Sequence, residues 1–159
     1  MTNQQLDTAT DRARIVVGVD GSATSIDALR AGVRMATALG IRLEAVTAWH
    51  VPDLYGGYRG EIYVPILQDV EDGARAVLDE SVTAVFGPTP PPPWFRGVVR
   101  EGRSASALMA ASEDAEMLVV GSRGHGGFAG LLMGSVSAAC AEHASCPVLV
   151  VHADETIAA

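Results

Sequence analysis

An apolar run ends in a glycine turn at Glu116-Met-Leu-Val-Val-Gly-Ser-Arg-Gly124, and Gly134-Ser135 follows it after nine residues. The first segment predicts a buried strand and the second predicts the start of a helix. Glycines let backbone N–H groups approach a ligand, and the unpaired N–H groups at a helix N-terminus favour an anion. The stretch therefore predicts a binding site for a phosphate chain, and ATP is the expected ligand.

The same alternation of strand and helix runs through the rest of the chain. Apolar runs predict five strands, at 14–20, 43–49, 94–100, 116–120 and 147–152. Helices are predicted between them, at 22–40, from Pro65 onward, at 104–112 and at 134–143. Ser22 is the predicted N-cap of the first helix, and Pro65 is the predicted first residue of the second. Residues 50–63 are predicted to form a loop. This order is typical of a doubly wound α/β fold, an open parallel sheet with helices on both faces.

Polar and glycine residues follow two of the predicted strands at the end where ligands bind in such sheets. Asp20 ends the first strand and Gly121 follows the fourth. Ligands bind at the carboxyl ends of parallel strands, at the point where the strand order reverses. If these two strands are neighbours, Asp20 and Gly121 face the same crevice.

The charge of the chain limits how it could bind a ligand. The 159 residues carry a net charge of −8, and all 11 basic residues are arginine. This acidity argues against a nucleic-acid partner, and the absence of lysine excludes a phosphate-binding loop that depends on lysine. Arg123 is the cation nearest to the glycine turn in the sequence. Its position there is compatible both with a phosphate contact and with a side chain exposed to solvent.

Length and composition predict one domain at 14–152, with a disordered lead-in at 1–13 and a flexible tail at 153–159. No apolar run reaches the roughly 18 residues of a membrane span, and the first residues contain no apolar signal segment. We therefore expect a cytoplasmic protein with no membrane partner. The spacing of Cys140 and Cys146 fits no metal or redox motif and predicts buried free thiols.

These residues resemble the universal stress protein family from about Arg14 to His152. Its signature is Gly, two residues, Gly, nine residues, Gly, then Ser or Thr, and the chain carries it in full. The opening Val-Gly-Val-Asp20-Gly-Ser and the closing Cys146-Pro-Val-Leu-Val-Val also match. The resemblance implies a sheet of strand order 3-2-1-4-5 and membership of the ATP-binding subgroup.

The resemblance also implies which residues bind ATP. The phosphates and the ribose are implied to be held by Gly121, Gly124, Gly134 and Ser135. The phosphate contacts are implied to continue at the helix start with Val136 and Ser137. Asp20 is implied to lie beside the ribose and phosphates, or to help position Mg²⁺ or Mn²⁺, and Ala48 to contact adenine through its backbone. A homodimer through Val148 to Val151 is implied as well, and would cover an apolar edge strand.

The leading functional hypothesis is an ATP-binding stress-response protein whose nucleotide-bound dimer acts as a regulatory module for an unknown protein partner. No catalytic residue is predicted, because the glycine-rich loop around His125 is a poor place to hold a general base. The alternatives are a slow ATPase, an autophosphorylating enzyme with Ser135 or Ser137 as acceptor, a cyclic AMP binder, and an interaction protein with a vestigial loop. Under the leading hypothesis, Gly121→Val or Gly124→Val should abolish binding and leave the fold intact.

Overall fold

A computed structural model describes residues 13–51, 63–125 and 133–153, with the backbone alone described at 63–66. This part of the chain forms five strands and four helices, which alternate as follows: β1 (Arg14–Gly18), α1 (Ala23–Leu39), β2 (Arg42–Trp49), α2 (Tyr63–Phe86), β3 (Phe95–Glu101), α3 (Ser104–Ala111), β4 (Met117–Gly121), α4 (Ser135–His143) and β5 (Val148–Val151).

The five strands form one parallel sheet of order β3-β2-β1-β4-β5. Alternate residues of β1 pack into two separate cores. Ile15 and Val17 lie against α1 and α2 on one face, and Val16 lies against α3 and α4 on the other. Helices therefore cover both faces, which confirms the predicted fold and strand order.

The capping signals around α1 are confirmed. The Ser22 hydroxyl accepts a hydrogen bond from the backbone N–H of Ser25 at 3.3 Å, and Gly40 ends the helix in the left-handed conformation at φ 67°. The prediction for α2 was wrong at its start, because the helix begins at Tyr63 and Pro65 is its third residue. The first turn of a helix has no intrahelical N–H partners to lose, so it accepts proline beyond the first position.

Several predicted boundaries move by one or two residues. β1 ends at Gly18, so Asp20 lies two residues beyond the strand. α4 begins at Ser135, with Gly134 as its N-cap. The predicted lead-in and tail lie almost entirely outside the described residues, and so does most of the 50–63 loop.

The two cysteines are both free, but they differ in exposure. Cys140 is fully buried on α4, and Cys146 is partly exposed before β5. Burial raises the pKa of the Cys140 thiol, and the neighbouring Cys146 raises it further. Cys140 therefore stays protonated and packs as a small apolar side chain, as predicted, whereas Cys146 is only partly buried. Within the described ranges, no helix is long and apolar enough to cross a membrane.

Candidate functional site

The candidate site lies where the carboxyl ends of β1 and β4 meet. These strands are neighbours at the centre of the sheet, and the chain proceeds from them toward opposite edges. A cavity of about 580 Å³ opens there, within the size range of small-molecule sites. Asp20 and Gly121 both line it, as the sequence predicted for neighbouring strands.

The cavity brings together every residue that the sequence nominated for nucleotide binding. The nine lining residues that were predicted are Asp20, Ala48, Gly121, Arg123, Gly124, Gly134, Ser135, Val136 and Ser137. Residues that were not predicted also line it, among them Ser25, Val46, Ser104, Leu108 and His125. Val46 could have been found from sequence, because it lies two residues before Ala48 and therefore on the same face of β2.

The carbonyl groups of the glycine turn are bonded within the protein. Three consecutive carbonyl oxygens accept hydrogen bonds: Gly121 from the Ser137 hydroxyl at 2.5 Å, Ser122 from the Gly134 N–H at 2.7 Å, and Arg123 from the Thr24 hydroxyl. An anionic ligand would be repelled by exposed carbonyl oxygens. Because these three are occupied, the turn can present N–H groups to the cavity.

The start of α4 adds more N–H donors. Gly134 is the N-cap at φ −72° and ψ 161°, and its carbonyl accepts the first helical bond from Ala138 at 2.9 Å. The amides of Ser135, Val136 and Ser137 therefore have no partner within the helix. Together with the positive end of the helix dipole, these amides make the cavity wall at the start of α4 electrostatically favourable for an anion.

The two serines of this turn have different environments. Ser137 is 4 % exposed and its hydroxyl donates to Gly121, so this side chain holds the turn in place. Ser135 is exposed and follows the N-cap residue Gly134, so its hydroxyl does not cap the helix. Gly134 is the N-cap, and its N–H donates to the Ser122 carbonyl at 2.7 Å. The Ser135 hydroxyl is therefore available to a ligand.

The three signature glycines differ in what a side chain at each position would meet. A Cβ at Gly121 would lie 2.7 Å from the backbone carbon of Thr24, so a side chain there would collide with α1. A Cβ at Gly124 would lie 2.5 Å from the Asp20 carboxylate. A Cβ at Gly134 would meet nothing closer than 3.5 Å, an ordinary contact. The protein itself thus needs a glycine at 121, but its own packing does not require one at 134.

Asp20 offers one carboxylate oxygen to the site. Its Oδ1 accepts hydrogen bonds from the N–H of Ser22 at 3.0 Å and from the Ser22 hydroxyl at 2.5 Å. Its Oδ2 faces Gly124. No group of three metal-ligating side chains occurs in the described part of the chain. A divalent cation held here would therefore take its other ligands from phosphate oxygens and water, as Mg²⁺ commonly does.

The backbone of Ala48 faces the cavity because β1 is short. The Val46 carbonyl accepts from Val19 at 2.9 Å, and the Trp49 carbonyl accepts from Gly102 at 2.7 Å. Backbone groups point to alternate sides along a strand, so Ala48, like Val46, points toward β1. The last residue pair of β1 and β2 joins Gly18 to Val46. The N–H and C=O of Ala48 therefore extend past the end of β1.

The geometry and the signature agree with a family assignment. The model of the universal stress protein family matches residues 12–152. The chain belongs to the universal stress protein family.

The relatives in this family include proteins that are longer than this chain. Universal stress protein Rv2623 of Mycobacterium tuberculosis is 37 % identical over 139 residues, which cover 87 % of this chain and 45 % of that protein. The chain thus spans about half the length of such relatives.

Solved universal stress protein structures share the fold. One, described as a complex with cAMP, is 27 % identical, has a TM-score of 0.63, and is matched over 88 % of this chain and 97 % of its own. Another, from Archaeoglobus fulgidus in complex with dAMP, is 20 % identical with a TM-score of 0.50 over 87 % of this chain and 97 % of its own. The second likeness concerns the fold alone.

Proposed function

We propose that this universal stress protein binds an adenine nucleotide, with ATP as its ligand, in the cavity at the carboxyl ends of β1 and β4. The observation that carries the proposal is the arrangement of the glycine turn. Its three consecutive carbonyl oxygens accept hydrogen bonds from the protein itself. The amides at the start of α4, which have no partner within the helix, line the same cavity. Such an arrangement suits a phosphate chain in a protein without lysine.

Each part of the nucleotide has a matching part of the cavity. The phosphates lie against Gly124 and the amides that follow Gly134, with Arg123 as a cation beside them. Asp20 offers its Oδ2 to the ribose or to a Mg²⁺ or Mn²⁺ ion bound to the phosphates. The adenine lies beside the open backbone of Ala48. This placement gives Gly124, Asp20, Ala48 and the amides that follow Gly134 the roles that the family resemblance implies, whereas Gly121 packs against α1.

Cyclic AMP is the second candidate ligand, because the similar structure at 27 % identity is described as its complex. Isothermal titration calorimetry with ATP and Mg²⁺, cyclic AMP and GTP tests the proposal. The full turn and helix start favour three phosphates over one, so we expect ATP to bind at least tenfold more tightly than cyclic AMP. Tighter binding of cyclic AMP would make it the ligand, and no response to any nucleotide would refute the proposal.

We further propose that the site binds its nucleotide without rapid turnover. Among the described residues that line the cavity, the ionisable side chains are Asp20, Arg123 and His125. Phosphoryl transfer needs an oriented nucleophile as well as charge neutralisation. The proposal assigns the open Oδ2 of Asp20 to the ribose or to the cation, and no hydrogen bond among the described residues orients the His125 ring. Slow hydrolysis is the alternative. For autophosphorylation, the buried and hydrogen-bonded Ser137 is a poor acceptor, which leaves Ser135.

Ser135→Ala tests the hydroxyl that the proposal assigns to the ligand. Losing one hydrogen bond of about 1–1.5 kcal/mol should weaken ATP binding about tenfold. The melting temperature of the ligand-free protein should stay unchanged, because this exposed hydroxyl caps nothing. Calorimetry and thermal unfolding measure both effects. Unchanged ATP affinity would remove the Ser135 hydroxyl from the site.

We propose that the nucleotide state is communicated through a homodimer formed at β5. β5 lies at the edge of the sheet, and its four residues are all only partly buried. The carbonyl of Val151 accepts a hydrogen bond from the N–H of Ser122 at 2.7 Å, so the edge strand is hydrogen-bonded directly to the glycine turn. Ligand binding at the turn can therefore alter the dimer surface, and through it an unknown partner in a cytoplasmic stress response.

Val150→Pro is expected to make the protein monomeric. The carbonyls of Pro147 and Val151 accept hydrogen bonds from the N–H groups of Leu118 and Ser122, on the β4 side. Backbone groups alternate along a strand, so the N–H of Val150 points to the open edge. Proline removes that donor and blocks pairing with a second chain, while the bonds to β4 persist. Sedimentation analysis should give a dimer for the parent chain and a monomer for the variant. A dimeric variant would place the interface elsewhere.

A further inference from the structure

Thr24 contacts the glycine turn, residues 121–124, from the side opposite to α4. It is the second residue of α1 and is 8 % exposed. Its hydroxyl donates to the carbonyl oxygen of Arg123, 99 residues away in sequence. Gly121 packs so closely that a Cβ there would lie 2.8 Å from the Thr24 carbonyl oxygen and from its hydroxyl oxygen. No family signature in the sequence includes this residue.

We propose that Thr24 is a positioning residue that sets the direction of the Gly124 N–H, an inference that rests on the proposed nucleotide site. The carbonyl of Arg123 and the N–H of Gly124 belong to one planar peptide group. In a trans peptide these two groups point in opposite directions, and no cis peptide occurs in the described residues. By holding the Arg123 carbonyl against α1, Thr24 turns the Gly124 N–H away from α1.

The Gly124 N–H then lies on the same side of the turn as the helix start. The backbone nitrogen of Gly124 is 3.8 Å from the point that a Cβ on Gly134 would occupy. The amides of Gly124 and of the first turn of α4 therefore border one space. A phosphate in that space would accept hydrogen bonds from both.

Ser22 is the other hydroxyl near the Arg123 carbonyl, and it cannot replace Thr24. Its oxygen lies 3.4 Å from the Arg123 carbonyl and 2.5 Å from Oδ1 of Asp20. A hydroxyl carries one hydrogen, and the shorter contact to a carboxylate takes it. Thr24 is therefore the donor that fixes this peptide.

The test compares two variants that differ by a single oxygen atom. Thr24→Ser keeps the hydroxyl and Thr24→Ala removes it, while both lack the γ-methyl group. We expect Thr24→Ser to bind ATP within about twofold of the parent protein. Thr24→Ala should bind ATP about tenfold or more weakly, because one fixed donor to a charged phosphate is lost. Titration calorimetry with ATP and Mg²⁺ measures both constants.

Adenosine serves as the probe that separates positioning from general damage. It has no phosphate, so its affinity, measured by NMR titration, should be equal in the two variants. Thr24→Val, which has the volume of threonine without the hydroxyl, provides a second loss variant if Thr24→Ala unfolds. Equal ATP affinities for Thr24→Ser and the hydroxyl-free variants would overturn the role of Thr24, and so would a parallel loss of adenosine affinity. An unmodified protein that binds neither ligand would instead refute the proposed function, and this inference with it.

Discussion

Replacing Gly134 by valine is expected to weaken ATP binding about a hundredfold or more and to leave the protein folded. The valine side chain would project beside Ser122, Arg123 and Gly124, into the space assigned to the phosphates. Displacing the phosphates from two N–H donors costs about 1.5–3 kcal/mol for each bond to a charged group. Such a loss corresponds to a factor of a hundred or more in affinity. Calorimetry with ATP and Mg²⁺ gives the dissociation constant.

The fold should tolerate this change because Gly134 already has an ordinary backbone conformation, at φ −72° and ψ 161°. The nearest atom to its Cβ would be the Ser122 carbonyl oxygen at 3.5 Å. Gly73→Val is the matched control, since its Cβ would meet nothing within 4 Å. A Gly134→Val variant that bound ATP as tightly as Gly73→Val would contradict the location of the phosphates.

Replacing Gly121 by valine is expected to destabilise the whole domain. The Cβ would lie 2.7 Å from the carbonyl carbon of Thr24, and backbone cannot move aside as a flexible side chain can. Over-packing of this kind costs about 1–3 kcal/mol or more, and valine adds two methyl groups beyond the Cβ. The melting temperature, followed by circular dichroism, should fall by several degrees, at roughly 2–4 °C per kcal/mol for a chain of this length.

This outcome differs from the expectation drawn from the sequence, in which Gly121→Val removes binding without harm to the fold. Lost binding in that variant is not by itself evidence for a ligand contact, because the same substitution disturbs the packing of β4 against α1. The comparison with Gly134→Val separates the two effects. A Gly121→Val protein that melts with the parent protein would show that β4 and α1 can separate without cost, contrary to the packing described.

The sequence carried enough information to predict the fold class and half of the residues that line the candidate cavity. Apolar runs and caps such as Ser22 and Gly40 mark elements whose alternation requires a parallel sheet. The strand order came from the family resemblance, because no local signal says which strands are neighbours. The glycine signature then placed the site residues on elements that the sheet brings to one edge.

The hydrogen bonds that hold the glycine turn in place could not be predicted from the sequence. The bond from Thr24 to Arg123 joins residues 99 positions apart and leaves no periodicity or spacing in the sequence. The same holds for the bond from Ser137 to Gly121, which makes a predicted ligand residue into a support for the turn. The different surroundings of Gly121 and Gly134 also became known only from the structure. In a sequence, a glycine beside a helix cannot be distinguished from a glycine beside a ligand.

The most direct test of the central claim is to denature freshly purified protein and to identify the nucleotide in the supernatant by chromatography. A site that binds ATP tightly and turns it over slowly predicts ATP, at a level approaching one per chain. A supernatant without adenine nucleotide, from a protein that also gives no heat when titrated with ATP and Mg²⁺, would contradict the claim.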